Sequence, residues 1–173
     1  MNAYEVAPPL ARLPDIGDPE TRAHKEHHES LKLWLRLMTC TLLIERRIRG
    51  RLRERFAMTL PRFDLMAQLE RSPRGLKMGE LSRRMMVTGG NVTGLTDQLV
   101  SEGLVERQPI PSDRRAYAVK LTRKGKHVFD AMAAEHETWV IEALSGLSPR
   151  ERDRLHTLLG RLKSTVRAQD AAV

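Results

Sequence analysis

The sequence predicts a mainly α-helical chain carrying one small β-hairpin. Apolar residues recur at helical spacing through most of its 173 residues, and such stripes mark helices buried along one side. Two short segments alternate instead, Leu104-Val105-Glu106-Arg107 and Tyr117-Ala118-Val119-Lys120-Leu121, which is the period of strands. Aromatic residues make up only 4%, too few for a sandwich or barrel built on aromatic cross-strand pairs. At 40% hydrophobic the chain can bury a core, and its length suits one domain with an appended helical module.

The elements follow in order. Residues 1–23 hold Pro8, Pro9, Pro14 and Pro19 without helical period and read as a flexible arm. From His24 to Phe56 there is no Pro, and Leu31, Trp34, Leu35, Met38, Leu42, Leu52 and Phe56 mark a helix. Leu31 to Ile44 is apolar on nearly every side. Such a helix is buried all round, and in so small a chain it is expected to cross between two subunits. We therefore assign 24–60 to a dimerisation helix. Pro61 suits the first turn of a second helix, Arg62 to Arg71, with Phe63, Met66 and Leu69 inward. Ser72-Pro73-Arg74-Gly75 breaks it. A short helix spans Gly79 to Met86 through Leu81, Met85 and Met86. Thr88 is a candidate N-cap for a helix from Gly89 to Ser101, whose buried stripe is Val92, Leu95 and Leu99. Gly103 is the expected left-handed stop.

The two alternating segments then form a hairpin whose long tip, Pro109 to Arg115, is turn-prone and basic. Thr122 caps a helix to about Leu144, with Val128, Phe129, Met132 and Trp139 inside. Ser148-Pro149-Arg150-Glu151 is a capping box, and Leu155, Leu158, Leu159, Leu162 and Val166 stripe the last helix. Residues 61–124 thus form a winged helix-turn-helix, 125–168 a second dimerisation segment, and 169–173 a tail.

Charge points to the partner. Lys and Arg exceed Asp and Glu by 30 to 22, a net +8, and so basic a chain usually meets a polyanion. Between Arg71 and His127 stand twelve basic and five acidic residues, nearly the whole excess in a third of the chain. Six arginines between Arg46 and Arg55 form a second cluster. A single cysteine precludes an internal disulfide and fits a reducing compartment. No apolar run reaches the ~18–20 residues of a membrane span, and the N-terminus has no signal-peptide blocks, so the expected location is cytoplasmic, without membrane contact. Nucleophile-elbow, phosphate-loop and zinc-protease motifs are absent from the sequence, which argues against an enzyme.

In a helix-turn-helix the second helix must be slim at its start, because that turn meets base edges in the major groove. Gly89, Gly90 and Asn91 satisfy this. Opposite the buried stripe lie Gly90, Thr93, Gly94 and Asp97, flanked by Asn91 and Gln98. Thr, Asn and Gln can bond base edges, and the helix amides with Thr88 can hold a phosphate. Arg114 and Arg115 at the wing tip suit a narrow minor groove. Arg83, Arg84, Lys120 and Arg123 are candidate phosphate contacts.

These segments resemble the MarR family of bacterial transcription regulators. The likeness runs through Glu80-Leu81-Ser82, Val92-Thr93-Gly94-Leu95-Thr96-Asp97-Gln98-Leu99, Glu102-Gly103-Leu104-Val105-Glu106-Arg107, Asp113-Arg114-Arg115, Val119-Lys120-Leu121-Thr122 and Gly125, and covers about Leu31 to Val166. The resemblance implies a homodimer with interleaved terminal helices, double-stranded operator DNA as partner, usually repression, and a wing arginine at Arg115 with its acidic partner at Asp113. Gly94 departs from the Arg or Lys of many members.

Met86-Val87-Thr88-Gly89-Gly90-Asn91-Val92-Thr93 resembles a subgroup tied to aromatic-acid catabolism. It implies an effector that is an aromatic carboxylate or its acyl-CoA thioester. Trp34, Arg36, Met38, Arg62, Phe63 and Met66 are the candidates to hold it, with Arg46 to Arg55 available for a thioester's phosphates. No cofactor is expected. His24, His27 and His28 lack the further ligands of a metal site. Two alternatives remain open: a redox sensor acting through Cys40, and a nucleoid-type protein of low sequence preference.

Overall fold

The computed structural model describes residues 29–110 and 113–171, apart from the side chains of 113–116. The proposed arm at 1–23, the three histidines at 24–28 and the last two residues of the tail lie outside them. The chain divides into two units, 1–45 and 46–173.

The described order is α1 (Glu29–Phe56), α2 (Leu60–Glu70), β1 (Leu76–Lys77), α3 (Met78–Met85), α4 (Gly89–Ser101), β2 (Val105–Ile110), β3 (Asp113–Leu121), α5 (Arg123–Ala143) and α6 (Pro149–Asp170). This is the expected winged helix-turn-helix, with helices before and after it. The hairpin gains a third strand, because β1 pairs with β3 and the sheet order is β1-β3-β2. Two residues, Leu76 opposite Val119 and Lys77 opposite Ala118, are too few to show a period, so β1 left no sequence signal.

The wing is also more regular than expected. Strand β2 continues through Pro109 and Ile110, and Ile110 already stands opposite Asp113 after a register shift. Only residues 111–112 separate the strands, so Arg114 and Arg115 belong to β3 rather than to a long tip. Pro109 is compatible with pairing because β2 is an edge strand, where a missing N–H is tolerated.

Within 46–173, each helix up to α5 buries one face. Ile48 and Leu52 of α1, Leu65, Met66 and Leu69 of α2, Leu81 of α3, Val92 and Leu99 of α4, and Phe129, Met132 and Trp139 of α5 are core residues. Leu95 is only half-buried. Thr96 takes its place, fully buried and with its hydroxyl donating to the Val92 carbonyl at 2.8 Å. A threonine fits an apolar stripe once its own helix satisfies its hydroxyl. Val128 is likewise half-buried, and Met86 faces solvent instead of completing the α3 stripe.

Two glycines hold the wing to α5. Gly103 has φ +68° and ends α4, a conformation other residues enter only with strain. At Gly125, a Cβ would come within 1.8 Å of the Leu104 carbonyl oxygen. The same junction carries Thr122, whose N–H donates to the Leu104 carbonyl at 3.1 Å and whose hydroxyl accepts from the Gly125 N–H at 2.9 Å.

Helix α6 opens with the expected capping box. The Ser148 N–H donates to the Glu151 carboxylate at 2.8 Å and the Glu151 N–H to the Ser148 hydroxyl at 3.4 Å. Bonds from Ser148 hold the Glu151 carboxyl below the usual range. No α6 residue is buried in the single chain, and Leu155, Leu158, Leu159, Leu162 and Val166 are exposed. In the N-terminal unit, Leu31, Leu33, Trp34, Met38, Leu42 and Leu43 of α1 are also exposed. Among the described residues, nothing covers these side chains.

Candidate nucleic-acid interface and ligand cavity

Helix α4 begins at Gly89, and Gly89, Gly90, Asn91, Thr93, Gly94 and Gln98 are all exposed. The structure thus brings together on one helix the surface that the sequence assigned to reading. Thr93 turns its hydroxyl onto the Gly89 carbonyl at 3.0 Å, a bond internal to the helix that a rotamer change can release. Thr88 sits at the N-cap with extended backbone, but its side chain makes no capping bond. The α4 amides at that end are therefore not capped by it.

The basic residues fall into two groups. Arg83 is exposed in the last turn of α3. Arg84, expected beside it as a phosphate contact, is instead engaged: it donates to Glu80 at 2.5 Å and to Ser72 at 3.0 Å, and it borders a cavity. Adjacent helix residues point about 100° apart, so Arg84 meets Glu80 and Ser72 while remaining exposed. Lys120 pairs with Glu106, its cross-strand partner, at 3.1 Å. Asp113, Arg114 and Arg115 lie in β3, and their side chains are outside the described residues.

One contact in this region was not legible beforehand. Arg107 of β2 donates to the Asp97 carboxylate of α4, tying the wing to the reading helix. The sequence placed Asp97 on the exposed face, but nothing in it paired the two residues.

Behind α3 lies a cavity of about 570 Å³. Its walls are Arg49 of α1, Phe63, Asp64, Ala67 and Arg71 at α2, Arg84, Met85 and Val87 around the end of α3, and Phe129 and His136 of α5. Phe63 stacks on Phe129 with centroids 5.4 Å apart and meets His136 at 5.0 Å, so three rings form one wall. Burial pushes the His136 imidazole below its ordinary value, which keeps that wall neutral near pH 7.

Of the expected effector residues in the winged module, only Phe63 reaches this cavity. Met66 is fully buried in the core, and Arg62, 9% exposed, is paired with Glu102. Neither lines this cavity. Helix α2 is buried on most sides, through Arg62, Phe63, Leu65, Met66 and Leu69, so its pattern could not separate a cavity face from a core face. Trp34, Arg36 and Met38 belong to the N-terminal unit, on the first half of α1.

Three of the six arginines of the cluster are paired with two glutamates of α5. Arg47 and Arg51 reach Glu142 at 3.4 and 2.7 Å, Arg55 reaches Glu135 at 2.7 Å, and Arg51 also lies 5.8 Å from the Trp139 ring centre. These contacts dock the second half of α1 on α5, which leaves fewer cations for a thioester's phosphates than the sequence suggested. Cys40 is exposed on α1. Among the described residues no cluster of three or more His, Cys, Asp or Glu side chains could hold a metal, and no helix is long and apolar enough to cross a membrane.

Comparison with known proteins finds a family match for the central segment. Residues 58–117 match the MarR family. That segment runs from the end of α1 into the wing. YkoM of Bacillus subtilis, an uncharacterized HTH-type transcriptional regulator, is 36% identical over 83 residues, which is 48% of this chain and 54% of YkoM. PecS of Dickeya dadantii, also an HTH-type transcriptional regulator, is 28% identical over 73% of this chain and 77% of its own. Among solved structures, a point mutant of MarR from E. coli in complex with operator DNA superposes with a TM-score of 0.69 at 25% identity, covering 80% of this chain and 99% of that one. The segment match covers about a third of the chain, and the structural neighbours share its winged-helix fold. The chain spans about half the length of YkoM.

Proposed function

We propose that the protein is a DNA-binding transcription regulator that acts as a homodimer on a pseudo-palindromic operator, usually to repress. The observation that carries this reading is the exposed face of α4, where Gly89, Gly90, Asn91 and Thr93 at its start and Gln98 further along are open to solvent, as is Arg83 at the end of α3. A slim helix end with uncapped amides and amide or hydroxyl side chains can enter a major groove and bond base edges. The net charge of +8 supplies the sequence-independent attraction. Dimerisation is supported by the exposed leucine stripe of α6 and the exposed apolar residues of α1, which water covers at a cost that a second copy removes. The likeness to a MarR protein solved with operator DNA supports the same reading.

The effector is an aromatic carboxylate, free or as its CoA thioester, held in the cavity behind α3. The rings of Phe63, Phe129 and His136 suit an aromatic body, and Arg71 at the rim suits a carboxylate. Because Met85 and Val87 form one wall, an occupant bears directly on the turn that leads into α4. Release of DNA follows from a shift of that turn.

The test is repeated selection of duplexes from a random library with the full chain, followed by titration of the enriched duplex at several salt concentrations. A two-fold symmetric site, bound as a dimer and weakened steeply by salt, is expected. Enrichment of no sequence would reduce the protein to a nucleoid-type binder. Adding phenylpropenoic acids or their CoA esters should release the duplex; a lack of response to both classes overturns the effector assignment. Loss of binding after peroxide treatment, abolished by Cys40→Ser, would favour the redox alternative.

A further inference from the structure

Met86 combines two features that the folded chain does not use. It is 89% exposed, the highest value for a large hydrophobic side chain among the described residues. It also holds φ +54°, a left-handed backbone that an unbranched side chain enters at a cost and glycine enters freely. The turn is held firmly in this shape. The Ser82 hydroxyl donates to the Val87 carbonyl at 2.5 Å, the Val87 N–H to the Ser82 carbonyl at 3.2 Å, and the Met86 N–H to the Arg83 carbonyl at 3.3 Å. Its neighbours Met85 and Val87 wall the cavity, whereas Met86 does not. The side chain therefore projects into solvent three residues before α4 begins, alongside exposed Arg83, Gly89 and Gly90.

We propose that Met86 reads DNA, its thioether packing against a thymine 5-methyl group in the major groove where α4 enters. The inference rests on the DNA-binding function proposed above. A thioether has no hydrogen to donate and is a weak acceptor, so phosphates and polar base edges offer it little. The thymine methyl is the apolar group that the major groove presents. A flexible, unbranched side chain can follow that methyl as the helix seats itself. Burial in the complex then offsets both the left-handed backbone and the exposure seen in the unbound chain. Met86 thereby adds an apolar determinant to a reading surface that is otherwise polar.

The experiment uses the full chain and the duplex enriched by selection, in two forms: as selected, and with every thymine replaced by deoxyuridine, which deletes only the methyl groups. Met86→Gly suits φ +54° and is expected to melt at or above the temperature of the parent; Met86→Gln retains the side-chain length as a second variant. The parent should bind the thymine duplex better than the deoxyuridine duplex. Both variants should lose about fourfold on the thymine duplex, the scale of one buried methyl-sized group, and their preference for thymine should shrink by the same factor. Unchanged binding by Met86→Gly overturns the proposal. So does a loss that is equal on both duplexes, since the side chain then touches sugar or a neighbour rather than the methyl. If selection enriches no duplex, the sequence-specific reading proposed above has failed, and this inference falls with it.

Discussion

Arg107 of β2 donates a hydrogen bond to Asp97 of α4, so the wing and the reading helix are joined through side chains ten residues apart. Both partners are partly exposed, and an exposed pair contributes little to folding. Its effect is geometric: it limits the angle between two elements that, in the proposed complex, reach adjacent grooves together. Arg107→Ala and Asp97→Asn should each shift stability by under about 1 kcal/mol while weakening operator binding. In a double-mutant cycle on DNA affinity the two losses should be non-additive. Additive losses would mean that each residue touches DNA independently.

Arg62 and Glu102 form a different kind of pair. Arg62 is buried at the start of α2, its Nε has no partner, and its charge is met by Glu102 just past the end of α4. Removing the acid strands a buried cation, whereas replacing the base with a hydrophobe of similar length does not. Glu102→Ala should therefore cost about 1–3 kcal/mol in urea unfolding, and Arg62→Met should cost less. The reverse order would contradict this account of the pair.

The glycines predict opposite outcomes for the same chemical change. Gly125→Ala drives a methyl into the Leu104 carbonyl and should cost about 3 kcal/mol or prevent folding. Gly94→Ala meets nothing within 4 Å in the middle of α4 and should stabilise by about 0.5–1 kcal/mol. Thermal melts of the two variants check both directions.

His136 gives a pH dependence of fixed sign. Its imidazole is held below the ordinary value of 6.5 by burial, so the unfolded chain binds a proton that the folded chain resists. The contribution is complete above about pH 6.5 and declines as pH falls toward the folded value. Urea midpoints between about pH 7.5 and 5 should fall more steeply for the parent than for His136→Gln. Equal slopes would show that other groups dominate.

Arg115 is the wing residue assigned to the minor groove. Arg115→Ala should weaken binding to the selected duplex by about 1–3 kcal/mol and lower the salt dependence by about one counterion. Unchanged affinity would mean that the wing does not reach DNA.

The helix pair was legible because its signals are local. Gly89 and Ser101 bound α4 as expected, Gly103 stops it, and Thr122 and Ser148 cap the next two helices through their own side chains. Strand β1 was not legible, since its existence depends on Val119 and Ala118 lying alongside. Which α2 residue borders the cavity was not legible for a related reason: along α2, Phe63 and Met66 are both apolar and inward, and packing against Phe129 of α5 puts Phe63 at the cavity.

The sequence by itself determined the order of elements, their ends, the basic central segment and the slim polar start of α4, because periodicity, capping and charge are written in neighbouring residues. Tertiary structure decided which charges are spent on one another. Arg47 and Arg51 are spent on Glu142, Arg55 on Glu135, Arg62 on Glu102, and Arg107 on Asp97. It also decided that Met86 faces solvent while its neighbours wall a cavity. Ion pairing and burial depend on which elements pack together, and that distance information has no fixed spacing along a chain.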